Sequence, residues 1–410
     1  MTRRLMHNKI AAVILVLRAV GGGICTEAAE PASSKRPVAA TQELPESEVS
    51  DIRLWTADKP VPKAVELGEL NGVRFHTIKA HEPEQDGYIW LHGVGLGWHK
   101  GKLYASFGHN KGEENTQGEE ARGRVSIDGG KTWSDPFTIG TGHAPDRAVS
   151  HGVFLSHGGE LWAFHGAFAG RMQQVHTQAY RLDEATGAWE EQGVVVDGGF
   201  WPMQEPLKMT DGNWIMSGIV VGDGNPAAVA ISRGDDLRKW ELVRIPKPET
   251  QKMWGESTVI VDGSRVLNVA RFGGKPTALV AASDDFGRTW TKSLPSNLPM
   301  ATSKPYAGTL STGQRYLVCT TTADTGGRRA PLTIAVGRAG ETGFRTVYRI
   351  RNAESSAGPG ESNARASLSY PYAVEHDGRL YVGYSNSGGR RGNHNSAELA
   401  IIPVASLRVD

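Results

Sequence analysis

Ser126-Ile127-Asp128-Gly129-Gly130-Lys131-Thr132-Trp133 and Ser283-Asp284-Asp285-Phe286-Gly287-Arg288-Thr289-Trp290 are two copies of one pattern, Ser-x-Asp-x-Gly-x-Thr-Trp. The aspartates stand 157 residues apart, three steps of about 52, and degenerate copies ending in Trp189 and Trp240 occupy the gap. Trp133, Trp189, Trp240 and Trp290 are therefore separated by 56, 51 and 50 residues, a period in the range of a four-stranded propeller blade. In each copy the Ser and Asp side chains can bond nearby backbone amides, Gly supplies an unusual φ, and Trp packs under the turn. The pattern reads as a hairpin staple with no chemistry of its own.

A second repeat sets the number of blades. Hairpin turns recur at Gly101, Gly159, Gly212, Gly263, Gly313 and Gly378, spaced 58, 53, 51, 50 and 65 residues and flanked by apolar alternation. Six such hairpins predict an all-β fold, a six-bladed β-propeller of four-stranded antiparallel blades; seven blades is the alternative. The run 73–78 has no partner nearby. It is expected to supply the outer strand of the last blade, beside 399–404, closing the ring and hiding an edge.

With 410 residues, 39% apolar and 22% charged, the chain can bury a large core. Its net charge of +1 offers no basic field for nucleic acid or an anionic membrane. Arg3, Arg4 and Lys9 precede the apolar run 10–20, so residues 1–28 read as a signal peptide. A lipid anchor on Cys25 would need a small residue before it, and Ile24 stands there. Residues 29–50, rich in Ala, Pro, Ser and Glu, read as a disordered linker, and 51–410 as the propeller. Removal of the leader leaves Cys319 alone, so no internal disulfide is expected. The mature chain is expected to be periplasmic or extracellular, with no membrane insertion, no cofactor and no protein partner.

Seven to nine residues before each turn glycine, a polar residue recurs: His92, His151, Glu205, Glu256, Lys304 with Tyr306, and Tyr370. Innermost propeller strands run side by side, so these positions are predicted to converge on one mouth of the channel. Returning strands add His109, His165, Arg271 and Ser385-Asn386, and Trp90, Trp201 and Trp254 stand just before the recurring positions. Flat rings beside convergent polar groups suit a sugar. Each residue alone could be structural; the periodic coincidence points to a pocket. The four histidines of blades 1 and 2 could hold a metal or serve as a proton-transfer set; the second reading is adopted.

The boxes and the six-blade count resemble the sialidase superfamily over roughly residues 70–408. Blade 4 is the closer match: Trp254-Gly255-Glu256-Ser257-Thr258-Val259 leads through Asp262-Gly263 to Leu267-Asn268-Val269-Ala270-Arg271. The resemblance implies that Glu256 partners a nucleophilic tyrosine, that Arg271 holds a substrate carboxylate, and that Tyr370 is that tyrosine. Where sialidases carry Arg-Ile-Pro this chain has Leu91-His92-Gly93, and Lys304, Arg328 and Arg365 are candidates for the third arginine. The acid aspartate of the blade 1 loop is replaced by a charged insert bearing Glu113, Glu114, Glu119 and Glu120.

Three readings follow. The first is an exo-acting glycosidase on an acidic or modified terminal sugar, with Tyr370 as nucleophile, Glu256 as its base, and an acid from His92, His151 or the blade 1 loop. The second is a polysaccharide lyase acting at a uronic acid with His and Tyr. The third is a non-catalytic glycan-binding propeller. All three name a glycan as the partner.

Overall fold

The computed structural model describes residues 49–142 and 146–409. The expected signal peptide and nearly all of the expected linker lie outside them. Blade 1 consists of Trp90–His99, Lys102–Asn110, Glu120–Ser126 and Phe137–Gly140, each antiparallel to the next. Blades 2 to 6 repeat this plan, opening with Arg147–His157, Phe200–Pro202, Ser257–Asp262, Tyr306–Thr309 and Leu368–His376. These innermost strands are neighbours in chain order, and that of blade 6 returns to lie beside that of blade 1. The six-bladed ring predicted by the hairpins is thus present.

The ring closes as the orphan run required. Arg74–Lys79 pairs with Ser396–Pro403, Arg74 opposite Ile401 and His76 opposite Leu399. The strand alternation of period two sends Leu103, Ala105 and Phe107 into one apolar cluster and Tyr104 into another, so both faces of a blade are buried against its neighbours. Upstream of the outer strand, the chain packs over blades 4 and 5, where Ser50 N–H donates to Pro295 O (2.9 Å) and Phe344 N–H to Leu54 O (2.7 Å).

Both boxes follow the third strand of their blade, at the end carrying the inner hairpins. Asp128 Oδ1 accepts the N–H groups of Lys131 and Thr132 (3.1 and 3.0 Å), and its Oδ2 accepts the Thr132 hydroxyl (2.7 Å). Asp285 repeats these bonds with Arg288 and Thr289, and they hold its carboxyl down at about 2. Trp133 and Trp290 donate to the carbonyl three residues back, and Trp240 in a degenerate copy does the same to Leu237 O at 2.8 Å. Gly130 is obligatory here: its φ is +86° and a Cβ would stand 2.5 Å from Leu399 Cδ2.

Candidate active site

At the mouth opposite the inner hairpins, three innermost strands begin with a bulge. Pairing slips between His92 and Gly95 in blade 1, between Val149 and Gly152 in blade 2, and between Ser369 and Tyr372 in blade 6. A bulge inserts an unpaired residue and re-aims its side chain. The residues so displaced include His151 and Tyr370, while His92 is the last paired residue before its bulge, and all three line one cavity of about 310 Å³. Tyr370 has φ +53°, a left-handed conformation that strains a bulky residue. Its N–H reaches Ser303 Oγ of blade 5 (3.4 Å).

Blade 4 supplies the partners of that tyrosine. Tyr370 Oη donates a short hydrogen bond to Glu256 Oε1, while Arg271 Nη1 stands 2.8 Å from Glu256 Oε2. Trp254 Nε1–H donates to Glu256 Oε1 at 3.0 Å, and Arg271 N–H to the Glu256 carbonyl at 2.9 Å. The carboxylate is thus buried but fully bonded, as a buried charge requires. Burial and then the Glu256 charge raise the Tyr370 hydroxyl well above its ordinary value, so it holds its proton at rest. Burial works to lower the Arg271 value, but Glu256 outweighs it and the guanidinium stays charged.

The His92 ring lies 3.9 Å from that of Tyr370, and the His151 ring 5.7 Å from it. Gly93 N–H donates to Ser385 Oγ, so the serine proton is free for His92 Nδ1 (3.2 Å), which assigns the ring N–H to Nε2. Burial lowers both imidazoles, His92 well below its ordinary value and His151 to about 3; both are neutral. Their Nε2 atoms have no partner among the described residues. Unpaired buried nitrogens aimed at a cavity are what a polar ligand would satisfy.

Not every expected residue reaches this cavity. Trp201 and Trp254 line it, though their indole N–H groups are spent on His151 O and Glu256. Trp90 is buried against Gly108, and His109 stacks on Tyr88 with ring centroids 4.0 Å apart. His165 donates from Nδ1 to Ser150 O at 2.7 Å, bracing the bulge that carries His151. The four histidines therefore do not converge. Among the described residues no group of three His, Cys, Asp or Glu side chains could hold a metal ion.

Glu205, Lys304 and Tyr306 are also outside the cavity. Both Met203 and Gln204 N–H groups bond Ser217 O, a bulge two residues earlier than the spacing placed it, so Met203 lines the cavity in place of Glu205. Glu205 instead accepts from Tyr306 Oη (2.6 Å) and Tyr372 Oη (2.7 Å) inside the channel. Lys304 spans the channel from Met203 O (3.1 Å) to Pro371 O (2.9 Å), its value lowered to about 8 by burial. Glu205 and Tyr306 border a larger hollow of about 620 Å³ at the hairpin end. Its size does not make it the site, because Glu205 and Glu375 there are already bonded to Tyr306, Tyr372 and Ser311.

Two charged residues of the cavity were not singled out individually from sequence. Arg329, next to the expected candidate Arg328, places its guanidinium 5.8 Å from the Tyr370 ring and is held by Thr302 O (2.9 Å). Glu114 is the member of the blade 1 insert that lines the cavity. Its Oε2 accepts from Asn393 Nδ2 (2.9 Å), and burial raises its carboxyl value. The cavity thus pairs a guanidinium face with a tyrosine, two carboxyls and two neutral imidazoles.

The sequence model for the BNR repeat-like domain matches residues 101–382. The chain belongs to the BNR repeat-like domain family. Among solved structures this BNR-repeat protein is similar to a protein of unknown function from Dyadobacter fermentans (16% identity, 81% of this chain and 99% of that one, TM-score 0.59). It is also similar to the Hadza microbial sialidase Hz136 (14% identity, 82% and 69%, TM-score 0.63). A third likeness is to the NanB sialidase from Streptococcus pneumoniae (11% identity, 85% and 71%, TM-score 0.58). These likenesses establish the fold, which the chain shares with sialidases at low sequence identity. No curated protein matches the sequence. Among the described residues no helix is long and apolar enough to cross a membrane.

Proposed function

We propose that this BNR-repeat protein is an exported, exo-acting retaining glycoside hydrolase that releases a terminal acidic or modified sugar from a glycan. The observation that carries the reading is the Tyr370–Glu256–Arg271 chain of bonds inside a sugar-sized cavity. Tyr370 Oη attacks the anomeric carbon as its proton passes to Glu256 Oε1, so no anionic nucleophile has to approach an anionic sugar. Glu114, whose carboxyl value is raised by burial, gives its proton to the departing oxygen. Water deprotonated by Glu114 then cleaves the tyrosyl glycoside, and Glu256 returns the proton to Tyr370. Arg271 and Arg329 face the sugar's acidic group as donors, with His92 and His151 offering neutral nitrogens where a third cation would stand.

His151 supports a second reading. A neutral imidazole beside Tyr370, with Nε2 unpaired among the described residues, is also a base poised for β-elimination at a uronic acid, with the His92 Nε2–H as a donor to its carboxylate. Incubating the chain with a panel of acidic glycans and reading product mass and ultraviolet absorbance separates the two. A saturated sugar carrying one added water is the expected product. An unsaturated product would replace the hydrolase by a lyase, and no product from any glycan would favour a binding propeller.

A further inference from the structure

We infer that the catalytic cavity opens into a groove across blades 2 and 3 that holds the remainder of an acidic oligosaccharide, with Arg147 gripping one of its anionic groups. The inference rests on the glycan reading of the cavity. Met172 and Val221 line the cavity and also a second hollow of about 560 Å³. Arg147, His176 and Val194 line that hollow and a third of about 340 Å³ beyond it. All five residues sit at or toward the mouth end of their blades, so the three hollows form one track leading outward from Tyr370.

The lining offers an unpaired cation to an acidic sugar chain, while its two carboxylates, Asp197 and Glu191, are already engaged by Gly198 N–H (2.7 Å) and Gln178 Nε2 (3.0 Å). Arg147 is half-buried, and its guanidinium makes no hydrogen bond or ion pair among the described residues. By contrast, Arg181 in the same blade is bonded to Glu160 and Glu190. An unpaired guanidinium in a groove offers a fork to a carboxylate or sulfate. His176 donates from Nδ1 to Gln174 O (2.9 Å), leaving Nε2 to accept from a sugar hydroxyl. Val194, 53% exposed, is one of four exposed large apolar side chains among the described residues. It lies in this groove, where the apolar face of a sugar ring can cover it. Met172 and Gln174 are both held in left-handed conformations (φ +52° and +50°), which sets the rim of the track.

The test is calorimetric binding of di-, tetra- and hexasaccharides of hyaluronan, alginate and colominic acid to the full chain carrying Tyr370→Phe, which blocks turnover. In at least one series the tetrasaccharide is expected to bind on the order of tenfold more tightly than the disaccharide, the factor lost with one charge-assisted hydrogen bond. Arg147→Ala should erase that gain and leave disaccharide binding unchanged; Val194→Asp should do the same by repelling the chain. Affinity independent of length in all three series overturns the groove, as does an equal loss for short and long ligands in Arg147→Ala. Length dependence in a chain whose wild type turns over no glycan would retain the groove and remove the hydrolase reading. Turnover with flat affinity would do the reverse.

Discussion

The box turns and the bulged mouth are both made where strands end, yet they are built on opposite principles. Every bond of the Asp285 carboxylate stays within four residues, and the same bonds recur around Asp128. At the mouth, Tyr370 bonds a residue 114 positions away and His92 one 293 positions away. The turns are exposed and satisfied. The mouth is buried, keeps a strained tyrosine, and leaves the His92 and His151 Nε2 atoms unpaired. Stability is distributed in repeated local staples, and reactivity is gathered from unlike residues that no repeat unit holds in common.

Breaking the mouth should cost function without cost to the fold. Tyr370→Phe is expected to lower turnover on the order of a thousandfold or more while leaving the melting temperature essentially unchanged. Steady-state kinetics beside calorimetric melting checks this, and retained turnover would mean that the mouth is merely structural. Glu114→Gln should follow with a loss of roughly 10²–10⁴ in kcat. In the wild type the raised Glu114 value keeps the acid protonated to higher pH, so activity falls as pH rises through that value. The variant should lose this alkaline limb from its pH profile.

Smaller effects sharpen the contrast. Glu119, buried beside the cavity wall and bonded to Asn115 N–H, is raised by burial from 4.5 to about 8. The folded state keeps its proton after the unfolded state has lost it. That stabilisation is complete below 4.5 and is lost as pH rises toward 8, at about 1.4 kcal/mol per pH unit. Relative to the wild type, Glu119→Gln should gain stability with that slope in denaturant titrations across the interval. Asp285→Ala, at the other end of the molecule, should lower the melting temperature by roughly 2–4 °C and leave kcat and KM alone. An Asp285→Ala variant that lost activity would show that the two ends are coupled.

The sequence displayed whatever depends on neighbours along the chain. Box residues, turn glycines and the run 73–78 announced six blades and the closure, because hydrogen bonds within four residues and a strand period of two are written in local order. It also placed Glu256 and Arg271 at one mouth, since one hairpin joins them, and the resemblance coupled Glu256 to Tyr370; the ion pair between Glu256 and Arg271 came from the structure. Glu205 was misdirected because counting back from the turn glycine assumes unbroken pairing, and the bulge at Met203 shifts the face that a side chain meets. Arg329 and Glu114 stand in irregular segments with no period to mark them. Which of two adjacent arginines, or of four glutamates in one insert, turns into the cavity is a matter of packing across the ring. Only the closed propeller, bringing together strands hundreds of residues apart, decides it.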